Sequence, residues 1–317
     1  PVGERIWDPS FDDILFSLDP VYTSEDIQKM AVDKICHDKF NRAYTPGIIG
    51  LNNLGKTDYI NAVVQVLAHI GAVRNALMVP LSEDYKQHAF VSKVSEVIRK
   101  LWNPIAIKAL VSPYELVDEI VRMNSKFTCD KQADVIDFLI WCIHAMQPLD
   151  KLFRGELVVE KSTGSQRQTV QCVPLKLPPM PLFPDTMKEK IIPQVAVEEL
   201  LHSYDGNTVT FMKKEQLKYS FWTLPEYLLL TCRRFDTTSV TKQVNTTIVE
   251  FDETLDMSPF VNSSAPKQPC QYRLISVIKH DGSFEEGSYT AYVRNSAQSK
   301  WYEIHDTFIN EALFPLM

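Results

Sequence analysis

The sequence has no C-x-x-C pair. Its six cysteines, Cys36, Cys129, Cys142, Cys172, Cys232 and Cys270, lie far apart, so neither a zinc knuckle nor a redox dithiol is signalled. Most sit among apolar neighbours, where a free thiol packs as a small hydrophobe, and this usage fits a reducing compartment. A long apolar run is also missing. The longest, around Leu224–Cys232, is interrupted by Pro225 and Glu226 and is too short to span a bilayer. No signal-peptide pattern opens the chain. There is no basic excess: 33 Lys and Arg against 40 Asp and Glu give a net charge of −7. That balance argues against phosphate tracking as the main activity and gives no indication of direct RNA binding, although a local basic patch does not show in such a sum. Neither internal repeats nor low-complexity tracts occur, and Asn262–Gln268 is a polar loop.

What is present is an ordinary globular composition, 45% apolar and 23% charged, over 317 residues. That length exceeds one compact core, so a multi-lobed domain or two domains is expected. The chain opens on Pro1, and further residues upstream are expected. The first half reads as helical. Thr23 and Asp26 suggest a capped start, with Ile27, Met30, Ala31 and Ile35 on one face. Ile60, Val63, Val64, Leu67 and Ile70 repeat at helical spacing, as do Phe90, Val94, Val97, Ile98 and Leu101. Ser112-Pro113-Tyr114-Glu115 reads as a capping box with proline at the first helical position. Val135, Phe138, Leu139, Cys142, Ile143 and Met146 form a wide apolar stripe ended by Pro148. All these stripes read as core packing.

After Lys151 the pattern changes. Thr169–Leu177, Val209–Tyr219, Tyr227–Phe235, Tyr272–His280, Tyr289–Arg294 and Trp301–Ile304 are short, β-branched or aromatic, and bounded by turn residues. Prolines 174, 178, 179, 181 and 184 mark an irregular connection, and a short helix is expected at Val195–Tyr204. Helices first and strands later imply an α+β architecture.

Residues 47–67 read GIIGLNNLGKTDYINAVVQVL, a glycine-rich turn entering a helix. A helix N-terminus carries partial positive charge; it favours an anion there and aims backbone N–H groups at a developing oxyanion. The segment resembles the first signature box of the ubiquitin-specific proteases, G-L-x-N-x-G-x-T-C-Y-x-N-x-x-x-Q. Gly50, Leu51, Asn53, Gly55, Thr57, Tyr59, Asn61 and Gln65 match, and Asp58 stands where the family has its nucleophilic cysteine. Three further boxes follow in order. Residues 131–139, KQADVIDFL, resemble the Q-Q-D-A-x-E-F-L helix with Gln132, Asp134, Phe138 and Leu139 retained. Leu224-Pro225-Glu226-Tyr227-Leu228, running to Cys232-Arg233-Arg234-Phe235, resembles the L-P-x-x-L-x-x-x-L-K-R-F strand. Residues 272–306 resemble the terminal Y-x-L-x-x-V-x-x-H-x-G…G-H-Y-x-A-Y…W-Y-x-F-D-D segment, and four ordered boxes are far more specific than one.

The resemblance implies the ubiquitin-specific protease fold, within the papain-like cysteine protease superfamily. By it, 1–46 is a linker and helical segment following an upstream zinc-finger ubiquitin-binding-type domain. The protease-like domain spans 47–317, with a helical thumb at 47–150, β fingers at 151–222 and a β palm at 223–317. It also implies that active members use a histidine after the second loop glycine as base and an acid after W-Y-x-F to orient it. Those positions are Ser288 and His305, so Asp58, Ser288 and His305 replace all three triad members, while the oxyanion-type Asn53 is retained. Asp58 reads as a first-turn or capping residue; as a nucleophile toward an isopeptide carbonyl, aspartate is poor. Gln132, Asp134, His280 and Tyr289 remain as candidate lining of a vestigial cleft. A metal held by Asp58, His280 and His305 is an alternative use of these side chains. Many family members carry two C-x-x-C pairs in the fingers, whereas Phe153–Phe221 contains only Cys172, so strand pairing must hold that region and no zinc or other cofactor is expected.

The degenerate triad, with Tyr44-Thr45-Pro46 before the box, resembles one branch of the family: the inactive SAD-type splicing factors of the spliceosomal tri-snRNP. This implies a nuclear, non-enzymatic role in pre-mRNA splicing, with tri-snRNP proteins as partners. Two alternatives stand beside it. One is a ubiquitin receptor without catalysis, with Glu285 and Glu286 attracting the arginines of the ubiquitin tail. The other is an unconventional hydrolase.

Overall fold

A computed structural model describes residues 9–30, 34–81, 88–179, 192–212, 215–234, 244–283, 287–295 and 297–315. Ala31, Pro181, Pro184, Phe235, Glu285 and Glu286 lie outside them. The chain forms two compact units, one from the residues up to Met146 together with Ile275–Pro315, the other from Gln147–Leu274.

The first unit begins with α1 (Phe11–Leu18) and α2 (Ser24–Lys29), then the short strands β1 (Cys36–His37), β2 (Ala43–Tyr44) and β3 (Gly50–Leu51). Four helices follow: α3 (Asp58–His69), α4 (Gly71–Met78), α5 (Ala89–Leu101) and, after β4 (Leu110–Val111), α6 (Tyr114–Met123); α7 (Val135–Ala145) completes the set. Every residue of α3 from Asp58 to Ala68 is buried, which marks a central helix packed on all sides. Its Tyr59 enters an aromatic cluster with Phe127, Phe138, Trp141 and Phe90. Tyr59 meets Phe138 edge-on at 5.2 Å, and Phe90 meets Trp141 at 5.0 Å. Such edge-to-face pairs contribute about 0.5–1.5 kcal/mol each beyond their buried area.

Two helices differ from the sequence expectation, one at its start and one in its extent. At α6 no side chain caps the helix, which begins after Pro113. Glu115 pairs instead with Lys93 on α5, and that ion pair replaces the reciprocal bond to Ser112. The Thr23–Asp26 box does form, with Thr23 Oγ1 accepting from the Asp26 N–H at 3.1 Å and Asp26 Oδ2 accepting from the Thr23 N–H at 2.8 Å. The helix nevertheless ends at Lys29 and buries nothing, and Ile35 is exposed beyond it.

The second unit is mostly β. A hairpin of β5 (Gly155–Lys161) and β6 (Gly164–Val170) joins a four-stranded sheet in the order β6-β5-β10-β9, with β9 at Thr210–Met212 and β10 at Glu215–Thr223. The expected strand at Thr169–Leu177 is split: β6 ends at Val170, and β7 (Val173–Leu175) pairs in parallel with β11 (Leu230–Cys232). β8 (Gln194–Ala196) pairs in parallel with β12 (Ile248–Glu250), and β13 (Thr254–Asp256) antiparallel with β14 (Gln271–Arg273). The short helix falls at Val197–Leu201 (α8) with a 3-10 turn to Tyr204. Its Leu201 packs with Leu157, Phe221 and Met257 in this unit's own core. Cys172 lies 3.5 Å from Thr231 Oγ1 and carries a half-buried thiol with its pKa pushed up by burial.

The chain then returns to the first unit as an antiparallel meander, β15 (Ser276–Gly282), β16 (Gly287–Asn295), β17 (Lys300–His305) and β18 (Phe308–Ala312). The expected strand Tyr272–His280 is thus divided between the units, with β14 in one and β15 in the other. Among the described residues no single helix is long and apolar enough to cross a membrane.

Candidate functional site: the start of helix α3

The turn into α3 is closed by Asn53. Its Oδ1 accepts from the Gly55 N–H, the Thr57 N–H and the Thr57 hydroxyl, each at 3.1 Å. Thr57 Oγ1 in turn accepts from the Leu54 N–H at 2.9 Å. Gly55 holds φ +132° with the Cys129 carbonyl against its α-carbon, so any side chain there is both strained and blocked. The neighbouring Lys56 N–H donates to that same carbonyl at 2.7 Å. Two more box residues tie the helix to its surroundings. Gln65 Nε2 donates to the Ile49 carbonyl at 2.7 Å, and Asn61 Nδ2 donates to Asp306 Oδ1 at 2.7 Å.

Asp58 is the first residue of α3 and is 5% exposed. One carboxylate oxygen, Oδ2, accepts from Gln132 Nε2 at 2.6 Å and from the Tyr289 N–H at 2.8 Å. Gln132 Nε2 also donates to the Gly287 carbonyl at 2.8 Å. The carboxylate therefore joins three segments: the helix start, the loop before α7, and the first residues of β16. Burial raises its pKa. The Tyr289 N–H opposes that shift, the Asp306 charge adds to it, and the Gln132 amide opposes it.

His280 faces Tyr289 across the β15–β16 pair, ring centroids 4.6 Å apart, and a side chain at Gly287 would run into its imidazole. Burial lowers the His280 pKa, so the ring is neutral at pH 7, although the carboxylates of Asp281, Asp58 and Asp134 pull the other way. Burial likewise pushes the Tyr289 phenol up. Asp134 caps α7, its Oδ1 accepting from the Ile136 and Asp137 N–H groups at 2.8 and 3.2 Å.

Ser288 sits between Gly287 and Tyr289 at the start of β16, opposite Asp281 in register. His305 ends β17 with its side chain 40% exposed and its Nε2 4.0 Å from Asp306 Oδ2, beyond hydrogen-bond reach. Sequence reasoning stopped at His305 and missed Asp306, which takes φ +53° at the β17–β18 turn and organises this end of the site. Its Oδ2 accepts from Asn53 Nδ2 at 2.9 Å, its Oδ1 from Asn61, and its carbonyl from the Leu51 N–H at 2.9 Å. The signal was available, because Asp306 matches the second acid of the W-Y-x-F-D-D pattern. Asn53, whose side chain is exposed, thus directs an amide hydrogen to Asp306.

Chemically the arrangement is a set of mutually satisfied hydrogen bonds around a carboxylate. Asp58 accepts bonds from an amide and a backbone N–H, and neither donor is a general base. Among the described residues no three of His, Cys, Asp and Glu stand where they could hold a metal ion. Asp58, His280 and His305 therefore do not form the metal cluster weighed from the sequence.

The ubiquitin carboxyl-terminal hydrolase family profile matches residues 49–313. The chain is 31% identical to the human protein named ubiquitin carboxyl-terminal hydrolase 39, over 99% of this chain and 64% of that one. It is 28% identical to the probable mRNA-splicing protein ubp10 of Schizosaccharomyces pombe, over 98% of this chain and 70% of that one. The chain thus spans about two thirds of the length of the curated relatives it matches. The crystal structure of an essential yeast splicing factor superposes with a TM-score of 0.77 at 24% identity, covering 95% of this chain and 74% of that one. The matched profile covers most of the chain, and the turn, helix and meander that carry the signature boxes meet around Asp58; the chain belongs to the ubiquitin carboxyl-terminal hydrolase family and has the ubiquitin-specific protease fold.

Proposed function

We propose that this chain is a catalytically inactive member of its family. On this reading it acts in the nucleus as a protein-interaction and assembly factor of the spliceosomal tri-snRNP. The observation that carries inactivity is Asp58. Acyl transfer at this fold position needs a thiolate with a base beside it. Here a carboxylate occupies the helix start, bound to Gln132 and to the Tyr289 N–H, with Ser288 and His305 at the base and acid positions. Asn53 already commits one of its two amide hydrogens to Asp306.

The splicing role is supported by the likeness to a probable mRNA-splicing protein of S. pombe and by the fold shared with a yeast splicing factor. The test couples two measurements on the full-length protein. Affinity purification from nuclear extract is expected to bring down tri-snRNP proteins, and a reactive ubiquitin C-terminal electrophile is expected to leave the protein unlabelled. Absence of tri-snRNP proteins would remove the splicing role. Covalent labelling at the α3 start would remove inactivity. Titration with labelled ubiquitin separates the receptor alternative, since saturable binding without cleavage is its signature.

A further inference from the structure

Among the described residues, the hydrogen bonds, ion pair and ring contact of helix α1 and the turn after it to the rest of the unit lie along one side. Ser17 Oγ accepts from the Ile107 N–H at 3.1 Å and from Asn103 Nδ2 at 3.4 Å. Phe16 packs edge-on against Tyr22 at 5.4 Å, and the Tyr22 hydroxyl donates to the Trp102 carbonyl at 3.2 Å. Just past the helix, Asp19 pairs with Arg99 at 3.3 Å. These contacts fix the rotation of the helix about its axis, with Ile14, Phe16 and Ser17 turned inward.

The opposite side carries Phe11, Leu15 and Leu18, at i, i+4 and i+7, and these are 73%, 51% and 58% exposed. Val21, 45% exposed, follows them in sequence. Single exposed apolar residues need no explanation, but a helical stripe of large ones marks an interaction surface. The helix buries no residue, yet its start is secured by a complete capping box between Ser10 and Asp13. Local capping and a few polar anchors thus hold the stripe outward.

Charge decides what fits it. Between Phe11 and Lys29 the sequence has five acids, Asp12, Asp13, Asp19, Glu25 and Asp26, and one base, Lys29. With Asp19 paired to Arg99 and Glu25 to Lys29, the charges of Asp12, Asp13 and Asp26 still leave the segment net negative. An anionic membrane surface is repelled by such a segment. A second copy would bring the same acids to the same stripe, within a chain of net charge −7. An apolar groove edged with lysine and arginine satisfies both the stripe and its rim, in the helix-in-groove mode. We propose that the outward face of α1 is a docking site for a partner protein that receives Phe11, Leu15 and Leu18 in an apolar groove rimmed by basic residues.

The test places the photo-crosslinking residue p-benzoylphenylalanine at Phe11 in the full chain, irradiates it in nuclear extract, and maps the crosslinked peptide by mass spectrometry. The expected peptide is apolar, flanked by Lys or Arg, and belongs to a different protein. With that partner purified, Leu15→Glu is expected to weaken binding about tenfold or more, the scale of a buried interface anchor. Asp12→Lys is expected to weaken it less and to flatten its salt dependence. Both positions are exposed, and unchanged thermal unfolding of the variants confirms an intact fold. Crosslinks confined to this chain or to a second copy, a partner segment without basic flanks, or unchanged binding of Leu15→Glu would each overturn the proposal. The outcome does not depend on the splicing role, because the crosslinked partner is identified whether or not it is a tri-snRNP protein.

Discussion

Replacing Asp58 by alanine removes the acceptor shared by Gln132 Nε2 and the Tyr289 N–H. Both donors are part of a packed region, and Tyr289 is buried. A hydrogen bond to a charged group contributes about 1.5–3 kcal/mol, and a buried donor left without a partner costs about 1–3 kcal/mol. Against this stands the relief of a carboxylate whose pKa burial has raised, meaning that its ionised form is disfavoured where it sits. The two effects leave Asp58→Ala destabilised by about 2–4 kcal/mol. Asp58→Asn separates them. Both donors reach the same oxygen, Oδ2, so an asparagine carbonyl placed there keeps both bonds and carries no charge. It also ends the repulsion from Asp306. Asp58→Asn is therefore expected within about 1 kcal/mol of the parent at pH 7. The assay is urea unfolding of the three proteins at matched pH. The sign with pH follows from the raised pKa: the folded state holds the Asp58 proton more tightly than the unfolded chain. The parent therefore gains stability relative to Asp58→Asn as pH falls through the folded pKa. Equal losses in alanine and asparagine variants, or an alanine variant as stable as the parent, would refute this account of the carboxylate.

Three further outcomes follow from the same geometry. His69 is half-buried with its Nε2 shielded from solvent, donates from Nδ1 to the Gln65 carbonyl at 2.7 Å when neutral, and has its pKa lowered from 6.5 to about 4 by desolvation. Its contribution is present above pH 6.5 and is lost as pH falls toward 4, on the order of 3 kcal/mol; urea midpoints that fall equally in His69→Gln would contradict it. Gly287→Ala drives a methyl group into the His280 ring and should cost about 1–3 kcal/mol, read as a lower unfolding midpoint, with His280→Ala in the same chain restoring part of it. Asp58→Cys alone should give no ubiquitin cleavage, because on the proposed reading Ser288 and His305 stand at the base and acid positions and fill neither role. Turnover from that single change would mean that the second half of the site has been misread.

How much of this was legible in the sequence depended on the range of the contact. The α3 helix and its turn were readable because a glycine-rich turn and an apolar helical repeat are local signals, and Gly55 and Val63 play those parts. The positions proposed for the triad rest on the resemblance of the ordered boxes alone. The clamp from Asp58 to Gln132 and Tyr289 was not, because it joins residues 74 and 231 positions apart, and no local pattern fixes which donor a carboxylate meets. The bond between Asp306 and Asn53, 253 positions apart, was hidden for the same reason, although the acid itself matches the W-Y-x-F-D-D pattern. At Ser112–Glu115 a local rule lost to a tertiary one, since Lys93 on the neighbouring helix claimed the glutamate. The strand at Tyr272–His280 was read as continuous because both halves are β-branched and aromatic. The chain leaves one unit at Leu274 and enters the other at Ile275, and side-chain pattern alone does not show that.

The most direct test of the central claim is turnover of a fluorogenic ubiquitin C-terminal amide by the purified full-length protein at high enzyme concentration, with Asp58→Ala run in parallel. The account predicts no turnover above buffer for either protein. Turnover that survives repurification and disappears in Asp58→Ala would contradict it, because the Asp58 carboxylate would then take part in catalysis instead of holding the helix start to Gln132 and Tyr289.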